Sequence, residues 1–508
     1  MGAADRKPFE LPPGVAHPAN HATVGGRWNE VNLIRWVEGE MRPVGGWEKL
    51  SLPTPESTIR CIHTWQSLDG STYTGVLCVG HAYVIKDDGT MINISPEPPL
   101  VTNAANTTTG GFGDAEYGTQ NYGDPRIEVI KSKPVGPTYT MENWGEDLIF
   151  CTSVDGRLLR WKPSTPDAVA AKVPNAPIGI RTFVVTPERH VIVFGFGGDL
   201  STWGWCDQED IENWNFADPL STAGTYNIEP AAPIIAATTM VNGVMMFTPV
   251  GVYISRYVSL PYIYSNAIKI ADNACPISAQ SVANVSNLVI WWAEDGFWKS
   301  DGNTVTPMEC PVYDWAINLA NNRTLRWRTV SVSLGFFPEV WWFFPVGEET
   351  ENSRYICYDV FRGWWAMGKL ARTCGHSGAY TTYPYMSDGT SLYIHEKGMY
   401  YYDAPELPYA TTGVINLGKG QTEITIKQMI VDIDTTPNTV LFDFYAKSSR
   451  LDSEPGQSKM GLKVRPDGYL DIRITGRDHW FTVRSAYNGS GYWSMGQPLI
   501  ETAIRGGR

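Results

Sequence analysis

The sequence predicts an all-β protein, and three observations carry that prediction. Apolar residues come in short alternating runs of four to eight, and a helical i, i+3, i+4, i+7 stripe almost nowhere persists. Turn pairs punctuate the runs: seven Asp-Gly pairs begin at Asp69, Asp88, Asp155, Asp295, Asp301, Asp388 and Asp467, joined by Asn242-Gly243 and Asn488-Gly489. Such pairs favour the type I′ hairpin turn, in which both central residues need φ > 0. Composition agrees, with 49 Gly and 35 Pro among 508 residues, only 18% charged residues, and 12% aromatics that include 20 Trp. Turns are dense, charge is sparse, and large rings of this kind serve sheet packing or interfaces.

Taken in chain order, residues 1–57 are rich in proline and contain Pro13-Gly14, Gly25-Gly26 and Gly45-Gly46. They are expected to form an extended arm with a short strand or two packed on the body. Residues 58–405 contain loosely similar units, among them WGEDLIFCTSVDGRLLRWKP, SNLVIWWAEDGFWKSDG and MSDGTSLYIHEKGMYYYD, spaced by about 40 to 60 residues. Small antiparallel sheets repeated at that period predict a β-propeller of six or seven blades, although no WD or kelch signature is present. Stacked sandwiches are the rival all-β reading. Residues 97–138 form a long loop insertion, polar and rich in Gly, Asn and Thr, in which Phe112-Gly113, Tyr117-Gly118 and Tyr122-Gly123 recur every five residues. A loop of that length inside a compact protein is usually functional or disordered. Residues 406–508 alternate strongly in ITIKQMIVDI, TVLFDFYAK and YLDIRITG, which predicts a C-terminal β-sandwich.

The net charge of −13 argues against tight nucleic-acid binding, which needs a Lys/Arg surplus to neutralise phosphates. The acidity resides in the first four-fifths of the chain, because the C-terminal segment carries slightly more Lys and Arg than Asp and Glu. MGAADRKPFE lacks the apolar core of a signal peptide, and no 18-residue apolar run occurs, so neither export nor a membrane span is expected. The eight cysteines lie far apart with no CxxC pair, and Cys374-Gly375-His376 alone cannot complete a zinc site. GFGG at 195–198 and GKG at 418–420 lack the Lys-Ser/Thr of a phosphate-binding loop, and GxSxG is absent. Asp432 and Asp434 could in principle flank a sugar bond as a glycosidase pair does, but strand neighbours two apart are commonly solvent-facing charges. No enzyme activity, cofactor or metal is expected.

One block near the N-terminus, GRWNEVNLIRWVEGEMRPVGGWEKL, concentrates Arg27, Trp28, Arg35, Trp36, Arg42 and Trp47. It resembles the opening of the tail nozzle proteins of short-tailed bacteriophages, also called tail hub or packaged-DNA stabilisation proteins. The resemblance runs on through Tyr122-Gly123-Asp124-Pro125-Arg126, RHVIVFG and WCDQEDIENW, WWAEDGFWKSDG, CPVYDWA, EVWWFFP, YICYDVFRGWW and TGRDHWFTVR. It spans essentially the whole chain and departs at Cys206, where a Ser is expected before the Asp.

The resemblance implies a structural virion subunit, assembled in the host cytoplasm. Six copies would close a ring below the portal and the head-to-tail adaptor ring, continue the DNA channel, retain packaged DNA and let it pass at ejection. Its implied partners are copies of itself, the adaptor, tail fibres or spikes, and double-stranded DNA in transit without tight binding. Rings arise from heterologous interfaces, and Trp, Tyr and Arg anchor such contacts. Arg27, Trp28, Arg35, Trp36, Arg42 and Trp47 are therefore candidates for a subunit contact or for a brace across blades. Phe112, Tyr117, Tyr122 and Arg126 are candidates for contact with the adaptor, a neighbour or the gate. The competing function is a carbohydrate-binding or glycan-cleaving tail propeller, motivated by the Trp content.

Overall fold

The computed structural model describes residues 6–17, 26–102, 136–241, 243–285, 287–320, 325–417, 422–435, 439–449 and 454–504. Within them the chain is a β-propeller of seven blades joined to a β-sandwich. The first strands of the blades are Ile59–Gln66, Tyr139–Trp144, Thr182–Val185, Ala236–Met240, Val282–Val285, Val330–Leu334 and Cys374–His376. These seven strands neighbour one another in order around the axis, and the last lies beside the first, so the ring is closed. Thr373 Oγ1 spans that closure by donating to the Ile59 carbonyl at 2.9 Å.

Each blade runs outward as an antiparallel meander, and alternation explains why the stack holds together. Leu148, Phe150 and Leu159 of blade 2 pack with Trp65 and Leu77 of blade 1, while Ile149, Cys151 and Leu158 on the opposite side of the same sheet pack with blade 3. A blade buried on both faces carries unbroken apolar runs, as in EVWWFF of blade 6, where all six residues are buried.

The Asp-Gly turns depart from the type I′ expectation. In all seven pairs the glycine has positive φ and the aspartate does not. Except at Asp295, which sits in a two-residue turn and accepts from Trp298 Nε1, the aspartate instead caps the turn with its carboxylate: Asp69 Oδ1 accepts the Ser71 N–H at 2.9 Å, and Asp388 Oδ1 accepts the N–H groups of Thr390 and Ser391 at 2.8 Å. One left-handed glycine plus a side-chain cap closes a longer turn than the two-residue one.

The N-terminal residues do not lie on the body as a separate arm. Arg6–Pro8 joins the sandwich sheet of Leu499–Ile504, Ile424–Ile430 and Tyr469–Gly476, and Trp28–Asn32 joins the other, beside Tyr409–Thr412. Ile34–Val37 and Glu40–Pro43 then form a small sheet with Trp493–Met495 and Ile433–Thr435. Trp47–Lys49 supplies the outermost strand of blade 7, paired with Leu392–His395. Short strands cannot satisfy their backbone groups alone, and the edges that accept these lie in both units. One apolar core consequently runs from Phe442, Phe444 and Phe481 of the sandwich through Trp28, Trp36 and Trp47 into Trp342 and Trp365 of blade 6.

Candidate functional site

The N-terminal Arg/Trp block sits at the junction of sandwich and propeller, and most of it faces inward. Trp28, Trp36 and Trp47 are 2%, 4% and 0% exposed, and the Arg35 side chain is buried with them. Trp28 packs edge-on to Phe481 of the sandwich with ring centres 6.1 Å apart. Trp47 stacks on His395 at 4.9 Å and donates from Nε1 to the Tyr402 carbonyl at 2.6 Å. These residues brace the chain's own parts. Arg42 is half-buried, 5.9 Å from the Tyr492 ring centre, and Arg27 is exposed beside Trp364 in an open groove. Phe112, Tyr117, Tyr122 and Arg126 lie outside the described residues.

Arg35 is the centre of the junction. Its Nε and Nη2 donate to the two carboxylate oxygens of Glu339 in blade 6, each at 2.8 Å. Its Nη1 and Nη2 donate to Glu396 of blade 7 at 2.9 and 2.8 Å. The guanidinium also lies 3.5 Å over the Phe337 ring. Burial alone would lower the Arg35 pKa, but the fields of Glu339 and Glu396 reverse this and hold the guanidinium above its usual range. Burial outweighs Arg35 at Glu396, whose carboxyl is raised above the ordinary glutamate value. Glu396 also accepts the Gly45 N–H at 3.0 Å, and Trp341 Nε1 donates to Glu339 at 2.9 Å, so the carboxylates are held as firmly as the cation. One cation from the connecting segment thus fixes two neighbouring blades.

A second buried arginine, Arg372, lies against the same blade 7. It donates from Nε to His395 Nε2 at 2.9 Å and from Nη1 to the Ala371 carbonyl at 2.6 Å, between the rings of Tyr393 and Trp47 at 4.5 and 5.1 Å. Burial pushes it down to about 10. Burial, and then the Arg372 charge, hold His395 well below the usual imidazole value, so its Nε2 is the acceptor.

The propeller axis is polar. Thr140 and Thr182 share a 2.9 Å hydrogen bond beside a cavity of about 220 Å³ lined also by Glu142, Thr238 and Gln280. His63 Nε2 meets Asn143 Oδ1 at 3.0 Å, and burial followed by the His63 charge lowers His376 to about 3. At one mouth Arg60 binds Glu351 through two nitrogens at 2.7 and 2.8 Å, and Arg328 Nη1 reaches the same carboxylate at 2.8 Å. Trp327 covers this mouth against Gly136, where a Cβ would approach its ring to 2.1 Å.

Glu339, Glu396, Arg372 and Glu351 were not singled out from the sequence. A signal existed in IRWV and EVWW, where a charged residue interrupts an apolar strand and so needs a buried partner. Among the described residues no three His, Cys, Asp or Glu side chains converge to hold a metal, and no helix is long and apolar enough to cross a membrane. None of the 20 Trp is exposed.

No family model matches the chain, and no curated protein matches it. Among solved structures it is similar to the virginiamycin B lyase of Staphylococcus aureus at 9% identity, covering 69% of this chain and 98% of that one with a TM-score of 0.40. It is also similar to PorZ, a surface component of the type-IX secretion system of Porphyromonas gingivalis, at 9% identity, covering 85% of this chain and 53% of that one with a TM-score of 0.36. The AfRom2 CNH domain follows at 10% identity, covering 54% and 89% of the two chains with a TM-score of 0.33. These likenesses concern the fold alone.

Proposed function

We propose that the chain is a structural, non-enzymatic subunit of a phage short tail, a nozzle protein that forms a six-fold ring below the adaptor. The ring continues the DNA channel, retains packaged DNA and lets it pass at ejection. The observation that carries this reading, beside the sequence resemblance, is the weave of the junction. The N-terminal segment passes through three sheets of the sandwich end and then closes blade 7, with Arg35 clamped to blades 6 and 7 on the way. Neither unit can move away from the other without breaking sheets, which suits a part that bears load.

The net charge of −13 suits a conduit as well. DNA carries one charge per ~1.7 Å, and a basic wall would hold it by counterion release, whereas an acidic wall permits sliding. At a Debye length of about 8 Å the repulsion acts only on DNA close to the wall. The competing glycan reading is motivated by the Trp content, and against it stands the inward packing of most of those rings, none of which is exposed. Electron microscopy of phage particles carrying a label fused after residue 508 tests the proposal. Six labels around the tail axis are expected. Particles without label, or a soluble monomer that binds or cuts host glycans, would overturn it.

A further inference from the structure

The two faces of the propeller differ in a way that the blades' own folding does not require. On one face each blade hands over to the next. On the other, the hairpins between first and second strands and between third and fourth strands turn, and their tips are apolar. Leu68, Val241, Phe336 and Tyr380 occupy first-to-second turns at 93%, 60%, 78% and 60% exposure, and Leu260 and Phe361 occupy third-to-fourth turns at 74% and 82%. Turn positions favour Gly, Asn, Asp and Pro, so leucine and phenylalanine at these tips have no local reason to be there. Leu68, Phe336, Phe361 and Tyr380 come from three consecutive blades of one face, 6, 7 and 1, with Val241 and Leu260 together on blade 4, and exposed apolar surface gathered in this way marks an interaction site. The same set of turns carries Asp69, Glu146, Glu188 and Asp301, so the face is acidic as well as apolar.

A complementary surface exists elsewhere on the same chain. Gln457–Leu462 is the outermost strand of its sandwich sheet, and its first five residues are exposed. It presents Lys459 and, at 64% exposure, Met460, and Lys463 follows it. Tyr469–Gly476, the edge of the other sheet, lies beside it and presents Arg473. Lys459 and Lys463 form no ion pair among the described residues. An outermost strand that presents two lysines outside any ion pair and an exposed methionine suits a partner of opposite charge.

We infer that copies of this chain associate head to side, with the basic sandwich edge of one copy seated on the acidic, apolar hairpin face of the next. The two surfaces differ, so the contact is heterologous and propagates around a closed ring instead of ending in a two-fold dimer. Ring closure rests on the nozzle reading above; the contact itself does not. The occupant is a second copy, because the charge and apolar content of the face are matched by this chain's own edge.

The test uses the purified full chain and two variants made only at exposed positions. One is Leu260→Ser/Phe361→Ser on the hairpin face; the other is Lys459→Glu/Lys463→Glu on the edge. Each is checked for unchanged thermal unfolding. Sedimentation velocity should show wild-type oligomers that dissociate as salt is raised, and loss of assembly in each variant alone. An equal mixture of the two should give a heterodimer and nothing larger, because one intact surface of each kind remains. Variants that assemble like wild type overturn the contact while leaving the ring reading intact. Variants that both fail alone and are not rescued by mixing show that the face and the edge do not meet, and also overturn it, as does an edge variant that assembles while the face variant does not, the result expected of face-to-face pairing. A wild-type chain that is monomeric alone, together with an edge variant that still forms rings with the adaptor, assigns the face to the adaptor and overturns the contact. A monomer under every condition overturns both readings.

Discussion

Arg35 and Arg372 are both buried near the seam of blade 7, and they are accommodated in opposite ways. Arg35 is held by two carboxylates from two blades, whereas Arg372 donates to a neutral imidazole and a carbonyl between two aromatic faces. The first arrangement lies where a connecting segment must meet two separate blades in one orientation, and the directional bonds of a guanidinium fork supply that orientation. The second lies inside a blade whose sheet already fixes the geometry, so the cation needs only cover. Charge pairing serves the junction between units, and aromatic packing serves the interior of one unit.

The largest test of that contrast is Arg35→Met. It strands two buried carboxylates and should cost about 3 to 5 kcal/mol in urea unfolding. Replacing Glu339 and Glu396 by Gln in the same chain should restore most of the loss, since neutral amides tolerate burial better; a loss that persists would show that Arg35 acts mainly by filling space.

Acid separates the two sites next. His395 has a folded pKa below its unfolded value, so below about 6.5 the unfolded chain takes up a proton that the native chain refuses. Its contribution falls as pH drops, by about 1.4 kcal/mol per pH unit. Glu396 runs the other way: its raised pKa means that the native chain binds the proton more readily, so its contribution weakens as pH rises through the unfolded value. A pH series of unfolding on the wild type and His395→Gln should show a shallower acid limb in the variant. Equal slopes would place the acid sensitivity elsewhere, with His376 and His479, lowered to about 3 and about 4, as the next groups to replace.

Arg372→Met should cost less than Arg35→Met, roughly 1 to 2 kcal/mol, because only the His395 acceptor and a carbonyl lose a donor. Equal losses at the two arginines would abolish the distinction between junction and interior. The smallest effect is expected at Arg27: Arg27→Ala removes an exposed side chain and should move stability by less than about 0.5 kcal/mol.

Much of the fold was legible along the chain because its signals are local. Alternation in YLDIRITG and the unbroken apolar run in EVWWFF report one-sided and two-sided burial respectively, and both strands form. The Asp-Gly pairs mark turns for the same reason, since a left-handed residue is a property of one position. The turn type was not legible, because the aspartate's choice between turning and capping depends on the length of the loop it closes. The grouping of Trp28, Arg35 and Trp47 was visible as a block, but its direction was not: the same residues suit an outer contact or an inner brace.

The amino-acid sequence by itself determined the strand segments, the turns and the recurrence of small sheets, because short-range sterics and side-chain alternation act within a few residues. Only the tertiary structure decided that there are seven blades, that the N-terminal strands belong to the sandwich and to blade 7, and that Arg35 meets Glu339 and Glu396 across more than 300 residues of chain. An edge strand accepts any partner of suitable register and a buried cation accepts any carboxylate, so those pairings are settled by which edges and charges the closed ring leaves within reach.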